Sequence, residues 1–194
     1  MTKKIISEIT GIFWNINMDK IEDILLRKFN IKPRFVTEED AEFILSLRLD
    51  DRLAKFLSPT QNDINAQRHW IRSYKERERE NKEYYFIFVS NEIKYGVNRI
   101  YNINEFSFEI GSWLFNRNTP EGVAILADLY ARDFAFENYK LNECRFEVRK
   151  ENKSVVAYHK RFNPTLINED DHNFYYTLTK EKYDAFKNKI LKLY

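Results

Sequence analysis

Residues 105–124 read EFSFEIGSWLFNRNTPEGVA. An apolar strand over 105–115 runs into a turn, and the turn opens a helix. The turn holds Gly122, one of four glycines in the chain. Thr119 reads as the N-cap and Pro120 as the first helical residue. A junction of this kind turns free backbone N–H groups, and the positive end of a helix dipole, toward whatever sits above it. That suits a pyrophosphate. Gly122, without a side chain, lets phosphate oxygens approach the backbone, and Val123 and Ala124 keep the next positions compact. Taken alone, the same string also fits a capped helix with no ligand.

Downstream, residues 120–138 form an apolar helix, 141–149 a strand and 152–162 a second helix. Two closing strands, 164–169 and 172–179, are joined by an acidic turn at Asp170-Asp171, and a helix over 180–192 follows. Upstream, the period falls to two in EYYFIFVS, where Tyr84 to Val89 form a strand. Asn91-Glu92 makes a hairpin turn, and 93–103 is the next strand of a meander that 105–115 completes. Residues 31–36 form a short strand that Pro33 confines to an edge or a strand start. Thr37 and Asp40 read as a capping box opening a helix with Phe43, Ile44 and Leu47 on its apolar stripe. Asp50 and Asp51 end that helix, and a charged helix over 61–80 surrounds Trp70 and Ile71. Two short amphipathic helices are expected earlier, at 4–14 and at 19–29, the second with Asp19 as N-cap and Asn30 as its stop. They would pack on the main domain or across a homodimer; membrane-surface association is the minor alternative, because their polar face mixes Glu and Asp with Lys. The division is an N-terminal helical extension, 1–30, and one domain, 31–194. The fold class is α+β: a mixed, mostly antiparallel central sheet with helices on both faces.

Composition narrows the function. The 32 basic and 30 acidic residues are interspersed and leave a net charge of +2, which is no footprint for nucleic acid. No apolar run approaches the roughly 20 residues of a membrane span, and the N-terminal stretch lacks the pattern of a signal peptide. The single Cys144 excludes an internal disulfide and fits a reducing cytoplasm. His69, His159 and His172 show no metal-ligand spacing, so no metal is expected. Glu109 is one carboxylate in an otherwise apolar strand, which makes it the candidate general base, or else a structural partner of Arg99 or Arg145. Arg99 is equally conspicuous in VNRIYNI.

The order of elements, with FEIGSWLF, the TPEGVA turn and EVRKENKSVVAYHKRF, resembles the GNAT superfamily of N-acetyltransferases over about residues 31–180. The similarity is greatest to its ribosomal-protein and amino-sugar branch. The last string is the most specific: a strand, an Asn, and a helix carrying a Tyr six residues after that Asn. In the family's loop a Gln or Arg stands where this chain has Thr119, with Arg117 two residues earlier. The resemblance implies an enzyme that moves an acetyl group from acetyl-CoA to a primary amine by direct attack. It implies a splayed strand edge over Ser112, Trp113, Leu114 and Phe115 for the pantetheine. It implies a phosphate turn over Arg117, Asn118, Thr119, Pro120, Glu121, Gly122, Val123 and Ala124. Asn152 would contact pantetheine or start its helix. Lys160 and Arg161 would reach phosphates or form a solvated helix end. Tyr158 would lie near the thioester sulfur, where a phenol can donate to the departing thiolate, or be a core tyrosine. The acceptor site would draw on Arg48, Arg52 and Phe56 between the first two helices, with Tyr85, Arg99 and Tyr101 from the meander. Cations and rings suit a nucleotide-linked amino sugar. A polyamine, a protein N-terminus, and a non-catalytic acyl-CoA-binding module are the alternatives.

Overall fold

The computed structural model describes residues 16–194, so the helix expected over 4–14 lies outside the described residues. The chain runs α1 (Ile16–Phe29), β1 (Lys32–Phe35), α2 (Ala41–Leu49), α3 (Asp51–Ala54) and α4 (Ile64–Arg79). A meander follows: β2 (Tyr84–Ser90), β3 (Ile93–Tyr101) and β4 (Ser107–Phe115). Then come α5 (Val123–Tyr139), β5 (Glu143–Arg149), α6 (Lys153–Lys160), β6 (Thr165–Glu169), β7 (Asn173–Thr179) and α7 (Lys180–Leu191). The strands make one sheet in the order β1-β2-β3-β4-β5-β7-β6, antiparallel throughout except for the β4/β5 pair. Pro33 sits in the edge strand β1, opposite Phe88. There its missing N–H costs the sheet nothing.

Alternation along the strands divides two cores. Phe86, Phe88, Ile100, Phe108 and Ile110 face α5, and Ile21 and Leu25 of α1 are fully buried among them. Tyr85, Ile87, Val97 and Leu114 face the other way, against Ile44 and Leu47 of α2 and Ile71 and Tyr74 of α4. α5 is buried almost all round, so its charged residues have nowhere to go but inside.

Local signals set several ends. Asn30 ends α1 with φ 53°, a left-handed conformation that asparagine tolerates. The helix begins at Ile16, so Asp19 lies within its first turn and not at the cap. The Thr37–Asp40 capping box forms, on a 3-10 turn over Glu38–Asp40. Burial opposes a charge on Asp40, but hydrogen bonds from Arg34, Lys94 and the Thr37 N–H outweigh it and bring the carboxyl down to about 2.

Candidate active site

β4 and β5 pair at Ser107↔Glu143, Phe108↔Cys144 and Glu109↔Arg145, and then part. The divergence coincides with a bulge. Arg99 opposes Gly111 and Val97 opposes Leu114, so Asn98 alone faces Ser112 and Trp113. Ser112 takes the left-handed backbone with φ 50°. Gly111 borders the bulge and makes room for a ring: a Cβ there would come within 3.1 Å of Tyr101. The splayed strands enclose a cleft of about 190 Å³, with Ile110–Leu114 on one lip and Phe146–Arg149 on the other. Phe56, Asn152 and Val155 close it. Asn152 also caps α6, its side chain accepting from the Val155 N–H.

The turn after β4 differs from the sequence expectation. Thr119 does not cap the helix and Pro120 is not its first residue; α5 begins at Val123 and Gly122 is the cap, with φ 89°. The reason is that the Thr119 hydroxyl is spent elsewhere, 3.2 Å from the Tyr95 carbonyl and 3.1 Å from Asn116 Oδ1. Asn116 in turn donates to the Lys94 carbonyl at 2.8 Å, so the turn is strapped to β3. The chain then crosses Pro120 and Glu121 before it can coil, and only a residue free to adopt positive φ completes the corner. A Cβ on Gly122 would collide with the hydroxyl of Tyr194, whose ring lies 4.6 Å from Lys28 Nζ. The Trp113 indole N–H donates to the Ala124 carbonyl at 2.9 Å and ties the cleft lip to the helix start. Arg117 and Asn118 are exposed on the turn, and Lys160 and Arg161 at the end of α6. A bare Gly122 at a helix N-terminus, joined to a cleft between two strand edges, fits a pyrophosphate and its pantetheine arm.

Behind the cleft lies a buried polar cluster. Asp128 Oδ2 accepts from Tyr158 Oη at 2.8 Å and from Arg132 Nε at 2.9 Å. Arg132, wholly buried, also donates to Cys144 Sγ at 3.0 Å and lies 3.5 Å from His159 Nδ1. Burial, and then Asp128, push the Tyr158 phenol well above its ordinary range. Burial and Arg132 hold His159 down to about 3, so its imidazole is neutral. Burial drives the Cys144 thiol up to about 12. Tyr158 contributes no surface to the cleft: its hydroxyl is taken by Asp128, and its ring stacks on Trp113 at 4.9 Å. Both of those residues do line the cleft, as do His159 and Glu147.

On the opposite side of the bulge is a second cavity of about 490 Å³. Arg48, Tyr85 and Arg99 line it, with Gln67, Trp70 and Asp63. Ser112 belongs to both cavities. Arg48 Nε donates to Thr60 Oγ1 at 2.7 Å and so pins the α3–α4 loop. Arg99 pairs with Glu83 at 2.8 Å and lies over the rings of Trp70 and Tyr101, at 5.2 and 4.4 Å. Burial, partly offset by Arg99 and Arg48, pushes Tyr85 to about 12. The remaining expected residues are placed elsewhere. Arg52 donates to the Phe115 carbonyl at 3.2 Å, Phe56 lines the other cleft, and Tyr101 stands beside Arg99 outside the cavity. Glu109 lines neither cavity. It is the last paired residue before the splay, hydrogen-bonded to Tyr101. Arg99 and Arg145 have carboxylates of their own, Glu83 and Glu143.

Sequence reasoning passed over Asp128, Glu147, His159, Asp63, Gln67 and Trp70. Asp128 did leave a signal: ILADLYARDFAF is apolar on every face, and charges in such a helix must be buried and partnered. No group of His, Cys, Asp and Glu among the described residues is arranged to hold a metal.

Residues 33–163 match the acetyltransferase (GNAT) domain family. Among solved structures, apo FdhC, a nucleotide-linked sugar GNAT, is 36% identical with a TM-score of 0.74, over 82% of this chain and 92% of that one. The N-acetyltransferase PseH of Campylobacter jejuni is 23% identical with a TM-score of 0.57, over 77% and 98%. The spermidine N-acetyltransferase of Vibrio cholerae, solved with CoA and spermine, is 17% identical with a TM-score of 0.65, over 79% and 97%, a likeness of fold alone. Comparison with curated proteins gives no match. On the domain match, and on its identity to the sugar enzyme across most of both chains, this chain belongs to the GNAT family of acetyltransferases.

Proposed function

We propose that this enzyme transfers an acetyl group from acetyl-CoA to the primary amine of a nucleotide-linked amino sugar, acting in the cytoplasm. The observation that carries the reading is Ser112: one residue on a strand bulge is wall to both the splayed cleft and the larger cavity. A pantetheine laid along Ile110–Leu114 would bring its thioester to the point where an amine from the second cavity arrives. That cavity offers two guanidinium groups, Arg48 and Arg99, against one carboxylate, Asp63, with Trp70 and Tyr85 as flat faces. The balance favours an anionic, ring-bearing acceptor over a polyamine.

Acetyl-CoA brings the activated acyl carbon, and the chain supplies the rest. Gly122 and the first turn of α5 would hold the pyrophosphate, with Arg117 on the same turn and Lys160 and Arg161, exposed at the end of α6, as the cations for it. The bulge takes Ser112 and Trp113 out of the β3 register, and a backbone N–H released there would serve as donor to the oxyanion. Glu109 takes the amine proton by way of water, and Tyr158 donates to the departing sulfur. Residues 31–194 carry the site, and 1–30 are an extension whose helix completes the core.

The first test is thermal stability with acetyl-CoA against AMP, since binding to the native state raises the midpoint by mass action. A rise with acetyl-CoA alone supports the cofactor site. Thiol release is then followed with nucleotide-linked amino sugars, the free sugars and spermidine. Turnover confined to the nucleotide-linked amines is expected, and spermidine as the better acceptor would overturn the substrate assignment. Glu109→Gln should move the pH–rate profile, and an unmoved profile removes Glu109 as base.

A further inference from the structure

We propose that Asp128 is a positioning residue for Tyr158, its carboxylate held by Arg132 and fixing both the orientation of the phenol and the proton on it. The inference rests on the acyl-transfer reading above, in which Tyr158 serves the leaving sulfur. It starts from a geometric fact: one carboxylate oxygen receives both the Tyr158 hydroxyl and Arg132 Nε, at 2.8 and 2.9 Å, with every partner buried. A phenol has one proton. In this arrangement that proton lies on the line to Asp128.

The groups that face Tyr158 come from each packed element. α5 contributes Asp128 and Arg132, and β4 contributes the ring of Trp113. α6 itself contributes His159, whose ring centroid lies 5.0 Å away, and Phe162 and Phe186 wall the far side. Arg161 acts only at a distance. His159 is neutral, so Asp128 and Arg132 are the fixed charges in contact with the phenol's surroundings. Ionising Tyr158 would set a phenolate against the Asp128 carboxylate in a dry site. Burial and Asp128, against the opposing pull of Arg132, therefore keep the phenol protonated at pH values where an ordinary tyrosine in water would ionise, near ~10.

This defines what Tyr158 does. When the tetrahedral adduct collapses, the C–S bond breaks and its electron pair goes to sulfur. The phenol, one layer behind the cleft wall formed by Asp128 and Trp113, must turn its O–H from Asp128 to that sulfur as a hydrogen-bond donor. The O–H bond is kept, because a thiol is the stronger acid, near ~8.5 against ~10 before any burial. The thiolate departs and takes its proton from water. The amine has given up one proton to water through Glu109, so charge and atoms balance.

The test is the ultraviolet titration of tyrosinate, run beside the pH dependence of kcat. Asp128→Asn strands the Arg132 guanidinium, so the neutral pair Asp128→Asn with Arg132→Gln is prepared as well. The Tyr158 step is identified as the one missing when Tyr158→Phe is added to each background. Asp128→Asn should bring that step, and the alkaline limb of kcat, down by about one pH unit or more; the double variant should lower both by less, because it also removes the Arg132 charge that opposes Asp128. Asp128→Glu should restore much of the original limb. If the Tyr158 step stays where it was, or kcat and CoA affinity fall together with the profile unmoved, Asp128 is a packing residue and the proposal is wrong. If no amine is acetylated but the tyrosinate step still moves, the positioning role stands and the acyl-transfer reading fails.

Discussion

α5 carries two clusters written in the same chemistry. Asp128 holds Arg132 and Tyr158; five residues on, Asp133 holds Lys187 at 2.8 Å and Tyr183 at 2.8 Å. Each is an aspartate, a cation and a tyrosine, all buried. They differ in what lies beside them. Asp128 lines the splayed cleft between β4 and β5, whereas Tyr183 and Lys187 belong to α7 and stitch that helix to the core. The cation also differs in origin: Arg132 comes from the same helix, one turn along, while Lys187 comes from far away in sequence. The first cluster can exist before α7 docks, and the second cannot. Identical grammar thus stands behind a cleft wall in one place and forms a tertiary clasp in the other, and position relative to the cleft decides which.

The sharpest way to break this contrast is at the clasp. Asp133→Asn leaves Lys187 buried with only the longer contact to Asp184 at 3.5 Å, and should cost about 3 kcal/mol in urea unfolding. The pH profile of the remaining activity should not move, in contrast to the Asp128 variants. A shifted alkaline limb would mean that the two clusters are coupled through α5. Replacing the clasp outright, with Asp133→Leu and Lys187→Met, should recover most of that loss, because a packed apolar pair removes both desolvation penalties.

Acid titration sharpens it next. Burial raises Asp133 in spite of Lys187 and Tyr183, whereas Asp40, met by two cations and a backbone N–H, is brought down to about 2. The signs are opposite. Asp40 binds protons less readily folded than unfolded, so its contribution is present above about pH 4 and lost as pH falls toward 2. That loss should be about 1–2 kcal/mol, below full conversion because Arg34 is partly exposed and screened. Asp133 binds protons more readily folded, so its contribution grows on acidification and fades as pH rises through its folded value. Comparing Asp40→Asn and Asp133→Asn in urea unfolding at pH 3 and pH 7 reads both signs.

An effect no larger than that of Asp40 is expected at the turn after β4, outside both clusters. Gly122→Ala places a Cβ at positive φ against Tyr194 and should cost about 1–2 kcal/mol. CoA affinity should fall while Tyr158 titrates as before. Unchanged CoA binding would detach the turn from the phosphate.

What the sequence disclosed follows from how far each partner lies along the chain. The Thr37–Asp40 box, the Asn152 cap, the Asn30 stop and the edge position of Pro33 all rest on partners a few residues away or on one residue's own backbone, and all are present. The mixed sheet followed from the order of periods. Gly122 as cap was hidden because the Thr119 hydroxyl is claimed by Tyr95, a residue 24 positions earlier. The left-handed backbone at Ser112 left no mark of its own in the sequence: it needs the β3 register, and the neighbouring Gly111 instead makes room for the Tyr101 ring. Arg99 reads as a partner for Glu109 along the strands, but Glu83 reaches it first. At the larger cavity, Arg48, Tyr85 and Arg99 were legible as conspicuous cations and rings. Trp70 and Gln67 were not, because a helix stripe looks the same whether it faces a core or a cavity.

The contact between Tyr194 and Gly122 has a practical consequence. Anything attached after Tyr194, whether an affinity tag, a fluorophore or a fusion partner, begins its path beside the turn assigned to pyrophosphate. A cofactor affinity measured with a group fixed beyond Tyr194 is therefore to be compared with one measured without it.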